Sequence, residues 1–172
     1  MHTRRTRIAM AIAGLCGLSW PAAAVAQIVA LGASNTAGYG VGVDLAFPAQ
    51  LEAMLRAQGR PMRVANAGVS GDTSAGMLAR LDKVVPAETR IVIVQFGVND
   101  ERLGVSPEQR RANIARMESQ LQARGARMIA VDALIASTVR GGMQQGDDVH
   151  LSAEGHRAVA AALVDAVRDA ER

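Results

Sequence analysis

A serine, a histidine and an aspartate in this sequence have the types and settings that nucleophilic catalysis needs. Ser34 stands two residues beyond Gly32 at a predicted strand end, where it could present its hydroxyl and its backbone N–H to a substrate carbonyl. A serine hydroxyl needs a general base, and beyond residue 26 the only histidines are His150 and His156. Asp147 precedes His150 by three residues, so its carboxylate could hold the imidazole tautomer. Together these residues indicate nucleophilic attack of a serine on a substrate carbonyl.

Each of these residues also has an ordinary structural explanation. A lone serine after a strand is usually a turn or cap residue, and His156 falls in a predicted helix where a solvated or partly packed side chain is expected. The glycine-rich segment after Ser34 could instead cradle a phosphate. It lacks the lysine of a phosphate-binding loop, and Gly38, Gly40 and Gly42 do not have G-x-G-x-x-G spacing, so nucleotide binding is not expected.

Two further loops offer hydrogen-bond donors. Gly71, in the loop after the second predicted strand, could expose its backbone N–H because it has no side chain. Asn99, in the sequence F-G-V-N-D after the third predicted strand, could direct its side-chain amide into the same crevice. Ligands of open α/β sheets bind beyond the carboxyl ends of the strands. We therefore expect both donors to face Ser34.

Short apolar runs alternate with amphipathic segments along the chain, which is the pattern of an α/β fold with a parallel sheet. The apolar runs predict strands at 28–31, 63–65, 91–96 and 127–133, and the third is the strongest because it is β-branched and almost wholly apolar. Helical spacing and end signals predict helices at 48–58, 73–81, 107–124 and 152–171. Asp72 and Ser106 are the predicted N-caps of the second and third helices.

The first 26 residues have the pattern of a secretory signal peptide. Basic residues precede the apolar run Ile8–Trp20, and an A-x-A cleavage pattern follows it. The run is too short to span a bilayer as a helix, and Cys16 follows Leu15 rather than a small residue, which argues against a lipid anchor. We predict a signal peptide at 1–26, one domain at 27–172 and an exported protein, periplasmic or secreted. A buried N-terminal helix is the alternative.

Charge and composition exclude several other classes of partner. The chain has 19 Lys and Arg against 16 Asp and Glu, but Arg4, Arg5 and Arg7 belong to the predicted signal peptide, which leaves 16 of each sign. A neutral domain with 2% aromatic residues offers neither the charge nor the stacking surface that nucleic acids need. His150 and His156 lie six apart with no third ligand at useful spacing, so no metal site is expected.

Four motifs, in order, resemble the SGNH hydrolase superfamily of GDSL esterases and lipases, and are most similar to its periplasmic multifunctional thioesterase/lysophospholipase/arylesterase group. They are G-x-S-N-T-A-G-Y around Ser34, N-A-G-V-S-G-D-T-S around Gly71, F-G-V-N-D around Asn99, and D-x-x-H at Asp147 and His150. The resemblance implies a flavodoxin-like, three-layer α/β/α sandwich. It implies Ser34 as nucleophile and oxyanion donor, Gly71 and Asn99 as further oxyanion donors, and His150 and Asp147 as base and orienting carboxylate.

The sequence departs from the family pattern in two places. The first family motif usually reads Gly-Asp-Ser, and Ala33 stands here in place of the aspartate, so a hydrogen bond near the nucleophile is lost. The interval from Asn99 to Asp147 is also short, where family members usually add a helix and a fifth strand. We therefore predict a reduced parallel sheet of about four strands and a shallower, more open cleft.

The resemblance implies a serine hydrolase that cleaves small-molecule carboxylic esters or thioesters through an acyl-enzyme. No cofactor, nucleic acid or stable membrane anchor is expected. Two alternatives stay open: a carbohydrate O-acetylesterase of the same family, and a catalytically degenerate SGNH-fold protein that binds a ligand or partner without turnover.

Overall fold

One parallel sheet of four strands organises the chain. The structure is a computed structural model that describes residues 27–172, so the predicted signal peptide lies outside the described residues. The strands lie in the order β2-β1-β3-β4, and they are β1 (Ile28–Gly32), β2 (Val64–Gly68), β3 (Ile91–Gln95) and β4 (Arg127–Ala130). β1 and β3 are buried along their whole length, because helices cover both faces of a parallel sheet.

Helices on the two faces of the sheet complete a three-layer α/β/α sandwich, as predicted. In the described part of the chain they are α1 (Ser34–Ala37), α2 (Phe47–Ala57), α3 (Ser74–Val84), α4 (Asn99–Arg102), α5 (Pro107–Ala123), α6 (Asp132–Arg140) and α7 (Ala153–Ala170). Alternate strand residues face opposite sides: Ile28 and Ile93 pack with α2, α6 and α7, whereas Val29 and Val92 pack with α3 and α5. None of these helices is long and apolar enough to cross a membrane.

The segment after β4 corrects one prediction. The sequence predicts a strand over 127–133 and no helix between that strand and Asp147, whereas β4 ends at Ala130 and α6 begins at Asp132. The helix is held by Ile135 and Val139, which pack against the core between the sheet and α7. The sheet still has four strands, as predicted, and residues 27–172 contain no fifth strand.

Three helices in the described residues begin at side-chain caps, and those of α3 and α5 test predictions made from the sequence. The Ser106 hydroxyl accepts a backbone N–H at the start of α5, as predicted. At the start of α3, the cap is Thr73, whose hydroxyl accepts the N–H of Gly76 at 3.2 Å. The prediction of Asp72 as this cap is wrong, because its carboxylate accepts a hydrogen bond from Arg80 at 2.8 Å.

His156 corrects a second prediction. Its side chain is fully buried rather than solvated or partly packed. Nδ1 accepts the backbone N–H of Phe47 at 3.2 Å, and the two rings stack at 6.4 Å. Nε2 is buried without a hydrogen-bond partner. Desolvation by burial, helped by the charge of His150, lowers the pKa of His156 from 6.5 to about 4.

Replacing His156 with Asn removes a titrating group while keeping an acceptor for the Phe47 N–H. A native pKa of about 4, below the ordinary 6.5, means that folding favours the neutral imidazole. Its contribution to the free energy of unfolding is therefore fully present above about pH 6.5 and is lost as pH falls towards about 4. We expect the urea midpoint of the wild type to fall more steeply over this range than that of the variant. Parallel midpoint curves for the two proteins would contradict this prediction.

Candidate active site

Ser34, His150 and Asp147 form a continuous series of hydrogen bonds beyond the carboxyl end of β1. The Ser34 Oγ lies 2.8 Å from Nε2 of His150. The other ring nitrogen, Nδ1, lies 2.5 Å from Oδ2 of Asp147. Residues 116 positions apart are thus in direct contact, and the structure brings together the three residues that the sequence singled out. A serine hydroxyl, an imidazole and a carboxylate in this order can transfer a proton away from the serine.

The Asp147 carboxylate is held by its own loop as well as by the imidazole. Oδ1 accepts the backbone N–H groups of Val149 at 3.1 Å and of His150 at 2.9 Å. The hydrogen bond from the His150 side chain, followed by these two backbone bonds, holds the pKa of Asp147 well below its usual range. Asp148 closes the loop with φ of 56°. The carboxylate therefore stays ionised at neutral pH and presents a fixed acceptor to Nδ1.

Asn35 joins the loop of the serine to the loop of the histidine. Its side-chain Nδ2 donates to the carbonyl of Val149 at 3.2 Å, and its Oδ1 accepts the N–H of Leu151 at 2.9 Å. These bonds grip the backbone on both sides of His150, and Asn35 is itself buried. Asn35 follows Ser34 directly in the chain, so its two bonds fix the position of His150 relative to the Ser34 hydroxyl.

The predicted oxyanion donors line the same cleft as Ser34 and His150. Gly71 has φ of 82°, which glycine adopts without strain, and a side chain there would meet open space. The Asn99 Nδ2 donates to the carbonyl of Asp72 at 2.8 Å, so one of its two amide hydrogens fixes the side chain. The second hydrogen has no hydrogen-bond partner among the described residues.

The cleft has a volume of about 590 Å³. One stretch of its wall is apolar and comes from α6 and the loop after β3, with Val98, Ile135 and Val139. Beside the histidine, the Tyr39 ring lies 4.5 Å from the His150 ring with 54% of its surface exposed. The cleft therefore combines a polar centre with apolar side chains, and Arg102, Arg110 and Arg140 also line it. Within residues 27–172, no group of three or more His, Cys, Asp or Glu side chains is placed to hold a metal ion.

Sequence reasoning missed two residues whose side chains hydrogen-bond to the backbone around this site. Asn35 belongs to the first motif, but no chemistry was predicted for it. Gln95 ends a strand that is otherwise wholly apolar, and its side chain is hydrogen-bonded to the backbone next to the serine. A polar residue in such a strand was the signal for Gln95. For Asn35, the signal was its position next to the candidate nucleophile.

An α/β/α sandwich with a serine, a histidine and an aspartate in hydrogen-bond contact beyond its strands has the arrangement of a serine hydrolase. The model of the GDSL-like Lipase/Acylhydrolase family matches residues 30–170, and the chain belongs to this family. The resemblance seen in the four sequence motifs is therefore confirmed.

The names of the chain's curated relatives describe hydrolytic enzymes. It is 36% identical to Esterase TesA of Pseudomonas aeruginosa over 108 residues, which are 62% of this chain and 54% of that protein. It is 34% identical to Thioesterase 1/protease 1/lysophospholipase L1 of Escherichia coli K12 over 110 residues, or 63% and 51% of the two chains. The chain thus spans about half the length of the curated relatives it matches.

Solved structures extend the similarity over most of the chain. The crystal structure of TesA superposes with a TM-score of 0.72 at 25% identity, covering 83% of this chain and 98% of that one. The structure of AlinE4, described as an SGNH-hydrolase family esterase, gives a TM-score of 0.61 at 31% identity, covering 83% and 95%.

Replacing Asn35 with Ala should lower the free energy of unfolding, because Asn35 links two loops of the candidate site. The change removes two hydrogen bonds and leaves the Leu151 N–H, a buried donor, unsatisfied, which typically costs about 1–3 kcal/mol. Urea denaturation measures the loss. Gln50→Ala is the matched control, because its amide donates to the Asp44 carbonyl in an exposed setting, where a change within about 0.5 kcal/mol is expected. Equal losses in the two variants would contradict the prediction.

Proposed function

We propose that this protein hydrolyses carboxylic esters or thioesters with Ser34 as its nucleophile. The observation that carries the proposal is the 2.8 Å contact between Ser34 Oγ and His150 Nε2, with Asp147 at 2.5 Å from the other ring nitrogen. Membership of the GDSL-like Lipase/Acylhydrolase family supports it. So do the names of the relatives, which include an esterase, an arylesterase and a thioesterase/lysophospholipase.

In this mechanism, His150 Nε2 takes the proton of the Ser34 hydroxyl as Oγ bonds to the substrate carbonyl carbon. The tetrahedral intermediate collapses when the alcohol or thiol leaves with the proton that His150 returns. Water then attacks the acyl-enzyme, His150 again accepts and returns one proton, and the carboxylic acid is released. Asp147 remains ionised throughout and stabilises the imidazolium that forms twice in each turnover.

Three donors would meet the oxyanion in this proposal: the backbone N–H groups of Ser34 and Gly71 and the second amide hydrogen of Asn99. Support comes from the common cleft that these three residues line. The bond from Asn99 to the Asp72 carbonyl fixes the amide before substrate arrives. Donors that are fixed in advance need no reorganisation as charge develops, which is why they lower the barrier.

The acyl group would lie along the apolar wall of Val98, Ile135 and Val139. A carbohydrate O-acetylesterase is the second candidate, favoured by the exposed Tyr39 ring beside His150, since an aromatic face there could stack on a sugar. We also propose that residues 1–26 are a signal peptide and that the domain at 27–172 is exported to the periplasm or secreted.

A fluorophosphonate probe tests the nucleophile directly. We expect one label, on the peptide that contains Ser34, and no label and no turnover of p-nitrophenyl esters in Ser34→Ala. Ser70→Ala, which changes another serine of the cleft lining, is the control and should label normally. A wild-type protein that neither labels nor turns over would instead support the degenerate binding protein.

Replacing Asn99 with Ala tests the oxyanion donors. Loss of one such donor commonly lowers kcat by about 10²–10³, because the interaction is stronger in the transition state than in the ground state. We expect a fall of this size in kcat for p-nitrophenyl butyrate with little change in KM. Circular dichroism confirms that the variant is folded. Wild-type kcat in a folded variant would remove Asn99 from the oxyanion hole.

A substrate series separates the two enzyme candidates. We expect kcat/KM for p-nitrophenyl esters to rise from acetyl to longer acyl chains, because the apolar wall buries each added methylene. An acetylated glycan is tested beside the series. A maximum at acetyl, together with rapid release of acetate from the glycan, would favour the O-acetylesterase.

A further inference from the structure

Gln95, the last residue of β3, holds the backbone on both sides of Ser34 through one atom. Its Oε1 accepts the N–H of Ala33 at 2.9 Å, the hydroxyl of Thr36 at 3.1 Å and the N–H of Thr36 at 3.3 Å. Gln95 is only 3% exposed, so these bonds form away from competing water. A single buried acceptor therefore fixes three donors that bracket the candidate nucleophile.

Two of these donors, the backbone N–H groups of Ala33 and Thr36, are the ones that a capping box at a helix start normally satisfies. Ala33 is the N-cap of α1 and makes no side-chain cap bond. Thr36 is the third residue of α1, whose N–H usually bonds to the N-cap side chain. Ala33 cannot supply that acceptor, and a helix of four residues is not stable by itself. Gln95 supplies the acceptor from the neighbouring strand.

The contact between Gln95 and Thr36 requires a residue without a side chain at Gly32, the last residue of β1. Gly32 pairs with Gln95 in the parallel register of β1 and β3. A Cβ at Gly32 would lie 2.2 Å from the Thr36 hydroxyl and 3.0 Å from the Gln95 Cβ, closer than packed atoms approach. Gly32, two residues before the candidate nucleophile, therefore leaves space for the side-chain Oε1 of Gln95 to accept the Thr36 hydroxyl.

We propose that Gln95 is a positioning residue for Ser34. By capping α1 from β3, it fixes the orientation of the Ser34 Oγ and backbone N–H. The inference rests on the proposed function for its kinetic consequence. The Ser34 N–H, which lies between the Ala33 and Thr36 donors, makes no hydrogen bond within the described residues, so it is left for substrate. The cap is a neutral amide, so it adds no negative charge beside the place where the oxyanion would develop.

Gln95→Met removes the acceptor and keeps the length of the side chain. We expect kcat for p-nitrophenyl butyrate to fall about 10- to 100-fold with KM nearly unchanged, since small misplacements of reacting groups cost this much. Amide hydrogen exchange at Ala33 and Thr36 should become at least tenfold faster, because their acceptor is gone. Gln95→Glu retains an acceptor oxygen and should restore slow exchange and recover part of kcat.

Glu52→Met is the matched control for stability. Glu52 Oε2 accepts the Val64 N–H at 2.8 Å at the opposite, amino-terminal edge of the sheet. This variant also loses a side-chain acceptor of a backbone N–H, and we expect it to lower Tm while leaving kcat and exchange at Ala33 and Thr36 unchanged. An equal fall in kcat in this control would show that general destabilisation, not positioning, explains Gln95.

The two proposals fail in different ways. If wild-type protein turns over esters and Gln95→Met keeps wild-type kcat and slow exchange at Ala33 and Thr36, the positioning role is overturned. If wild-type protein has no turnover, the proposed function fails, while exchange at Ala33 and Thr36 still decides whether Gln95 caps α1. Should Gln95→Met not fold, fast exchange in a folded Gln95→Glu would contradict the capping role.

Discussion

The parallel pairing of β1 with β3 is the constraint on which the rest of the structure depends. It places Gly32 opposite Gln95, and both residues stand where their strands end and their loops begin. Apolar side chains on alternate positions of these strands fill the two cores. A shift of one residue would turn both sets to the wrong faces and would separate the amide of Gln95 from α1. Core packing therefore also fixes the register of the site.

Local sequence signals predicted most of the fold. Continuous β-branched and apolar residues marked the buried strands, and Ser106 before a proline marked the start of α5, because these effects act within a few residues. α6 was missed since its apolar residues are interspersed with alanine, serine and threonine, and Thr73 was passed over for its neighbour Asp72. The burial of His156 depends on Phe47, which is 109 residues away in the sequence. A local sequence pattern cannot predict a contact over that separation.

In the candidate site, too, the residues within local motifs could be predicted and the long-range contacts could not. Ser34, Gly71, Asn99, Asp147 and His150 could be named because each belongs to a short motif at the end of a strand or before a helix, and topology brings such loops to one edge. The contacts that orient them are long-range: Gln95 reaches back 62 residues to Ala33. The loss of an acidic side chain at position 33 suggested weaker support for the serine, but the structure shows support from another strand.

The two bonds of Asn35 connect the halves of the site by a path only a few atoms long, although the chain between them runs for 116 residues. The distance between the Ser34 hydroxyl and the His150 imidazole therefore does not depend on the length of the chain between them. We expect insertions and deletions between the third and fourth motifs to alter the walls of the cleft and to leave the 2.8 Å separation of Ser34 Oγ and His150 Nε2 unchanged. A shortened family member can therefore remodel which molecules enter while its reacting atoms keep their spacing.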